Sequence, residues 1–239
     1  MGAAGGPDGS GSGRQEAYDA WSRRHGGLDP SGSVWVSGWV RLGHRLARPV
    51  AARGISPDVV SAAGVLLTAL VPLVCLLGGG WVLLGVPLVL LSGLADGVDG
   101  AVAALSGRAS ALGKVVDALA DRVGDLLLVL ALLVLGAPGW ICAAYAVGLL
   151  LHEGVRSTAQ AAGMVGPGAV TVAERPTRVV VGGVAVLMAG LEWAARSVGL
   201  DVLPELDAAA LAGVAAVVGL VLTVVGLIQL LPAVRRALT

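Results

Sequence analysis

Residues 91–125 of this 239-residue chain read LSGLADGVDGAVAALSGRASALGKVVDALADRVGD. Two apolar segments in this stretch carry five aspartates: Asp96, Asp99, Asp117, Asp121 and Asp125. Turn-forming residues around Gly107 separate the two segments, which predicts a helical hairpin. Arg122 stands among the acids and can neutralise only one of them. The stretch therefore predicts a site where further cations compensate the remaining carboxylates.

The composition indicates a membrane protein. The chain is 56% hydrophobic and 13% charged, whereas a soluble globular domain carries roughly 25% charged residues. The formal net charge is zero, and we expect no nucleic-acid partner. Residues 1–33 are rich in Gly, Ser and charge and contain no apolar core, so we predict a disordered tail ahead of one membrane domain at 34–236.

Six apolar stretches are long enough to cross a bilayer, which takes about 20 residues. The predicted spans are 58–78, 81–105, 112–135, 139–162, 178–195 and 208–231. Basic residues such as Arg53, Arg108 and Lys114 flank alternate connections, and the opposite connections are almost bare of them. By the positive-inside rule, both termini lie in the cytoplasm, in what we expect to be a bacterial-type cytoplasmic membrane.

Residues 34–50 differ from the predicted spans because apolar and basic residues alternate. Trp39, Leu42 and Leu46 interleave with Arg41 and Arg45. The segment is too short and too charged to span, so we predict an amphipathic helix lying on the cytoplasmic leaflet. A soluble helix packed against the domain is the alternative. The expected fold class is all-α, with six membrane helices preceded by this interfacial helix.

The aspartates need compensation, because each ionised carboxylate deep in a bilayer costs roughly 2.5–3.5 kcal/mol. Asp96 and Asp99 lie about 60° apart around a helix, and Asp117 and Asp121 about 40° apart. Helices joined by a short turn are antiparallel neighbours, so we expect the acidic faces to meet. Clustered oxygens suit hard divalent cations, and we predict two ions, Mg²⁺ or Mn²⁺, of the kind used in phosphoryl chemistry.

The spacing of these residues resembles the motif of the CDP-alcohol phosphatidyltransferase family. It reads Asp96-x-x-Asp99-Gly100-x-x-Ala103, then nine residues to Gly113, then Asp117 and Asp121. The segment 55–58, Ile-Ser-Pro-Asp, is similar to the one that precedes the family's first helix, and the likeness covers about residues 34–236. Ala104 departs from the family, which has arginine at that position.

The resemblance implies an enzyme of phospholipid biosynthesis that transfers a phosphatidyl-type group from a CDP-activated lipid to an alcohol and releases CMP. The implied metal ligands are Asp96, Asp99, Asp117 and Asp121. Asp121 also matches the general base that takes the proton of the acceptor hydroxyl. The positions implied to lie closest to the CDP group are Gly100, Ala103 and Gly113, although small residues also suit plain helix packing. A homodimer is implied as well.

Residues 156–163 and 174–178 look like segments of the phosphatidylinositol-phosphate synthase branch of the family. Basic residues of that branch bind the phosphate of an inositol phosphate. A phosphorylated polyol is therefore the implied acceptor, with Arg156, Arg175 and Arg178 as its ligands, since arginine forks suit phosphate. Cytoplasmic arginines beside membrane helices also follow from topology alone, and both interpretations stay open.

Three other functions fit parts of the pattern. An intramembrane prenyltransferase also uses aspartate pairs and Mg²⁺, but on separate, repeated helical units. A transporter or proton relay would spread its acids over several helices, often in an inverted repeat, and the sequence shows no such repeat. A non-catalytic relative is suggested by Ala104.

Overall fold

The structure, a computed structural model, describes residues 29–32, 34–200 and 205–239, together with Tyr18, Asp19 and Ser22. The predicted tail at 1–33 therefore lies largely outside the described residues. Regular structure within the described residues is helical, without strands, which confirms the all-α prediction. The α-helices are α1 (Val34–Ala52), α2 (Pro57–Leu77), α3 (Gly85–Ser106), α4 (Ala111–Val134), α5 (Gly139–Ala161), α6 (Arg175–Ser197) and α7 (Ala208–Leu238). Short 3-10 turns lie at Pro30–Gly32 and Gly79–Leu84.

Local sequence sets the sharp turn between the two acid-bearing helices. Gly107 ends α3 in the left-handed conformation, at φ 65°, which glycine adopts without steric cost. Ser110 begins α4, and its Oγ accepts the N–H of Gly113 at 2.9 Å. This bond satisfies one of the free amides at the helix start. The hairpin predicted from residues 91–125 therefore has identifiable local causes.

α2 packs against both acid-bearing helices, whereas the backbones of α3 and α4 scarcely touch each other. The two backbones therefore stand apart, and the acidic faces meet, as expected, through their side chains. α6 also contacts both helices, so α2 and α6 bridge them. Gly64 permits the close approach of α2 to α3, because a Cβ there would lie 3.3 Å from Ala95 Cβ.

α1 packs along α3 and also exposes apolar side chains. The contact includes a small buried cluster of Ala47, Val98 and Val102. Trp39 lies against Gly97, where an added Cβ would be 3.4 Å from Nε1. Trp39, Leu42 and Leu46 remain between 39% and 42% exposed. The helix predicted at 34–50 is therefore present, docked on the bundle and apolar on its outer side.

Four helical segments have the length and the apolar composition to cross a bilayer. They are Pro57–Leu77, Gly79–Ser106, Arg175–Ser197 and Ala208–Leu238. α4 and α5 occupy the predicted spans 112–135 and 139–162 and contain 24 and 23 residues. α4 contains five charged residues, and α5 has a polar C-terminal half that includes His152, Glu153 and Arg156. Four of the six predicted spans thus meet both criteria.

Candidate active site

Three carboxylates from α3 and α4 converge. Asp96, Asp99 and Asp117 each offer one oxygen, and these oxygens all lie within 4.8 Å of one another. Asp99 is only 5% exposed, and the other two are half-buried. Ionised carboxylates this close repel each other, and a cation bound between them removes that repulsion. An all-oxygen donor set fits a hard ion such as Mg²⁺ or Mn²⁺.

α2 contributes a residue that the sequence analysis missed. Ser61 donates its hydroxyl to Asp99 Oδ2 at 2.5 Å, which fixes the orientation of the buried carboxylate. A small cavity beside the cluster is walled by α2, α3, α4 and α6, and Ser61 and Asp121 line it. A signal was present in the sequence, because Ser61 and Gly64 fall on one face of an otherwise apolar helix.

Arg175, the first residue of α6, reaches into the acid cluster. Its Nη1 donates to Asp96 Oδ1 and to Asp121 Oδ1. The group of mutually close oxygens does not include Asp121, which joins the cluster through this guanidinium. Arg122, the residue expected to balance one of the acids, instead binds Glu153, with 3.1 Å between Nη2 and Oε2.

Asp125 belongs to a separate buried network. Its Oδ2 lies 2.6 Å from Arg178 Nη1, and both side chains are at most 5% exposed. Arg178 also donates to Glu153 Oε1 at 2.5 Å. Because an arginine only donates, Nδ1 of the buried His152 accepts from Arg178 Nη2 at 3.3 Å. The donors of Arg178 are therefore engaged inside the protein, and Asp125 is held apart from the carboxylate cluster.

Arg156 on α5 pairs with Glu174, the residue before α6. The two N–H···O distances are 2.9 and 2.6 Å, and Glu174 Oε1 also accepts the N–H of Thr171 at 2.9 Å. Burial would raise the pKa of Glu174, but the hydrogen bonds from Arg156 and Thr171 outweigh it and hold the pKa below its usual value. The ionised Glu174 fixes the chain immediately before Arg175.

The residues matched to the nucleotide end lie near the α3–α4 turn. Gly100 and Ala103 are buried on α3. Gly113 lies in the first turn of α4, where an added Cβ would stand 3.1 Å from Ser110 Oγ and 3.7 Å from Asp58 Oδ1. A Cβ at 113 would therefore crowd the hydroxyl of Ser110 and lie in ordinary contact with Asp58 at the start of α2.

Ala104, which replaces the family arginine, is exposed on α3. The two arginines nearest to the motif in sequence make other contacts. Arg108 donates to Gly54 O at 2.9 Å and ties the turn to the loop between α1 and α2. Arg122 is bound to Glu153. The guanidinium found at the acids is that of Arg175, from α6.

Residues 55–228 match the family model of the CDP-alcohol phosphatidyltransferases. The match covers more than half of the chain and includes every motif residue between positions 96 and 121. This chain belongs to the CDP-alcohol phosphatidyltransferase family. The resemblance inferred from the aspartate and glycine spacing is thereby confirmed.

Two relatives of this protein are phosphatidylinositol phosphate synthases. The protein of Cutibacterium acnes is 34% identical over 89 residues, which are 37% of this chain and 42% of that protein. The protein of Mycolicibacterium smegmatis is 30% identical over 150 residues, which are 60% of this chain and 66% of that protein. The matched segments span less than two thirds of either relative.

Two crystal structures of phosphatidylinositol phosphate synthase from Mycobacterium tuberculosis share the fold. The complex with manganese and citrate gives a TM-score of 0.63 at 22% identity, covering 81% of this chain and 88% of that chain. The structure with CDP-DAG bound gives 0.61 at 24% identity, covering 81% and 94%. At these identities the likeness shows the common helical fold.

Proposed function

We propose that this protein transfers a phosphatidyl-type group from a CDP-activated lipid, such as CDP-diacylglycerol, to an alcohol and releases CMP. The convergence of Asp96, Asp99 and Asp117 within 4.8 Å carries the proposal, because such a cluster is built to hold the cation that a diphosphate needs. Membership of the family supports it. The names of the relatives favour a phosphorylated polyol, and inositol phosphate first, as the acceptor.

Each motif residue has a role in this proposal. Asp96, Asp99, Asp117 and Asp121 would hold two Mg²⁺ or Mn²⁺ ions, which would neutralise the diphosphate and the charge of the departing CMP. Manganese in the Mycobacterium tuberculosis relative supports this ion class. Asp121 takes the proton of the acceptor hydroxyl. The hydroxyl oxygen bonds to the lipid-side phosphorus while the bond from that phosphorus to CMP breaks. The small residues Gly100, Ala103 and Gly113 leave room for the CDP group.

The three predicted acceptor arginines are unequally placed for a phosphate. Arg175 is 22% exposed and lines the cavity. Arg156 and Arg178 are 12% and 5% exposed, and each is paired with carboxylates. We therefore assign the first contact with the acceptor phosphate to Arg175, and give Arg156 and Arg178 supporting positions around it.

We further propose that α4 and α5 cross the bilayer, which makes six spans with both termini in the cytoplasm. Their lengths suffice, and their central charges Asp125, Arg122 and Glu153 are engaged with one another or with Arg178 inside the bundle. Charged groups in membranes occur in such inward-facing pairs. α1 lies on the cytoplasmic leaflet with its exposed apolar side chains in the interface, and two copies of the chain form a homodimer.

The test is CMP release by purified protein in lipid nanodiscs. CDP-diacylglycerol is supplied with inositol phosphate, free inositol, glycerol 3-phosphate or serine, with and without Mg²⁺ or Mn²⁺. We expect turnover to require the ion and to be fastest with inositol phosphate. Asp96→Asn should lose activity, whereas Asp207→Asn should keep it, because Asn also caps the start of α7.

The outcomes separate the alternatives. Absence of CMP release with every acceptor and ion, from protein that melts cooperatively, would contradict the enzyme and favour a non-catalytic relative. Release that is fastest with an uncharged alcohol would retain the reaction and reject the phosphorylated acceptor.

A further inference from the structure

Arg175 occupies the side of the acid cluster where Asp96 and Asp121 face each other. One nitrogen, Nη1, contacts Oδ1 of both carboxylates. Among the described residues, Arg175 is the one cationic side chain that contacts Asp96 or Asp121. The guanidinium therefore bridges and neutralises two of the four carboxylates that would hold a divalent cation in the proposed function.

The rest of this guanidinium is held loosely. Nε is buried and has no hydrogen-bond partner. Nη2 lies beside Gly124, and a Cβ added to that glycine would be 3.6 Å from Nη2. The side chain also borders the cavity. The two carboxylates are thus the anchors of Arg175, which also lines the small cavity.

Arg178, one helical turn further on, shows the opposite behaviour. Its Nε donates to Ala173 O at 2.7 Å, and its two terminal nitrogens reach Asp125 and Glu153 at 2.6 and 2.5 Å. All three nitrogens are bonded and the side chain is buried. Arg178 therefore anchors the start of α6, and Arg175 can change partners without moving the helix.

We propose that Arg175 is an internal counter-ion that competes with a divalent cation for Asp96 and Asp121. In the metal-free protein the guanidinium holds these acids and keeps them neutralised. When a cation takes the two carboxylates, Arg175 leaves them and turns into the cavity, where it meets the anionic acceptor. The inference rests on the proposed function only in that the acid cluster binds divalent ions.

Competition of this kind has a measurable signature. The apparent metal affinity equals the intrinsic affinity multiplied by the fraction of molecules in which Arg175 does not hold the acids. If Arg175 only bound the acceptor and did not compete with the metal, the metal affinity of the substrate-free protein would not depend on Arg175. Metal binding in the absence of lipid and acceptor therefore separates the two roles.

The test is calorimetric titration of purified wild type and Arg175→Gln with Mn²⁺, without CDP-lipid or acceptor. We expect Arg175→Gln to bind Mn²⁺ about tenfold more tightly, because the competent fraction rises towards one. Arg196→Gln is the matched control. Arg196 lies at the far end of the same helix and pairs with Glu192 at 2.5 Å, so its substitution should leave the Mn²⁺ affinity unchanged.

Thermal unfolding of wild type and Arg175→Gln, with and without Mn²⁺, is a second test. Without Mn²⁺, Arg175→Gln lacks the counter-ion of two acids and melts below wild type. Saturating Mn²⁺ replaces that counter-ion, so the rise in Tm caused by the ion is larger in the variant. Arg175→Lys should fall between the two, because a compact ammonium on a flexible stem lacks the planar fork that bridges two carboxylates.

The results distinguish this inference from the proposed function. Equal or weaker Mn²⁺ affinity in Arg175→Gln, with an unchanged rise in Tm, overturns the competition while metal-dependent catalysis stands. Mn²⁺ binding by Arg175→Gln but not by wild type supports the competition. If neither protein binds Mn²⁺ or Mg²⁺, both the competition and the proposed metal-dependent reaction are rejected.

Discussion

At the scale of single residues, Ser61 holds a buried carboxylate in one orientation. Its hydroxyl lies 2.5 Å from Asp99 Oδ2, and Asp99 is too buried for solvent to supply an equivalent donor. Groups that orient a ligand in this way set its rotamer and its readiness to bind. We therefore expect the metal affinity of the proposed site to depend on α2 as well as on the two helices that carry the aspartates.

Ser61→Ala should weaken Mn²⁺ binding by roughly 10- to 100-fold, the range for loss of an outer-shell partner. Isothermal titration of the substrate-free protein measures this. Ser92→Ala is the control, because Ser92 lines the same cavity but donates to Val89 O of its own helix at 2.8 Å. Equal losses in both variants would mean that the cavity surface, and not the orientation of Asp99, sets the affinity.

At the scale of helices, the pair Asp125–Arg178 joins α4 to α6, and Glu153 brings in α5. Removing one member of a buried ion pair strands the other charge and costs about 3–5 kcal/mol. We expect Asp125→Ala to destabilise the protein by about that amount in thermal or denaturant unfolding. The double substitution Asp125→Leu with Arg178→Met should recover a large part of the loss, because no charge is then left unpaired.

The pair Glu192–Arg196 provides the comparison for this prediction. It lies within α6, and Arg196 is 42% exposed, so Glu192→Ala should cost less than about 1 kcal/mol. The double variant at 125 and 178 could instead be no more stable than Asp125→Ala. The network would then contribute to stability through packing and shape, and not through charge compensation.

The helices could be predicted from sequence because their signals are local. Apolar runs mark α2 to α7, Gly107 ends α3, and a serine begins α4. The partners of the arginines could not be predicted, because Arg175 and Asp96 are 79 residues apart. The predicted span 178–195 starts at Arg178 and leaves Arg175 outside, but α6 begins at Arg175. Both arginines therefore lie on the helix, and its packing turns them inward.

The same reasoning applies to the candidate site. The spacing of the four aspartates and of Gly113 predicts a metal-binding hairpin, because residues on one helical face keep a fixed separation. Three of the aspartates do come together. The separation of α3 from α4 and the contribution of Ser61 depend on where α2 packs, which no spacing within residues 91–125 encodes.

At the scale of the whole molecule, the number of spans can be tested with two introduced cysteines. Cys75 and Cys142 are buried and are replaced by alanine. In the six-span topology, the exposed positions Ala109 and Pro138 lie on opposite sides of the membrane. A membrane-impermeant maleimide should label Pro138→Cys in intact cells, and Ala109→Cys only after permeabilisation. If both variants require permeabilisation, α4 and α5 do not cross.

The distance in sequence between Asp125 and Arg178 has a consequence for biosynthesis. The two residues are separated by 53 positions, and a ribosome adds about 5–20 residues per second, so roughly 3–10 s pass between their syntheses. During that interval α4 carries an aspartate whose neutralising cation does not yet exist. In the proposed six-span topology, the bilayer or the insertion machinery must tolerate this helix until α6 arrives, and a ribosome stalled before codon 178 would leave α4 without its partner.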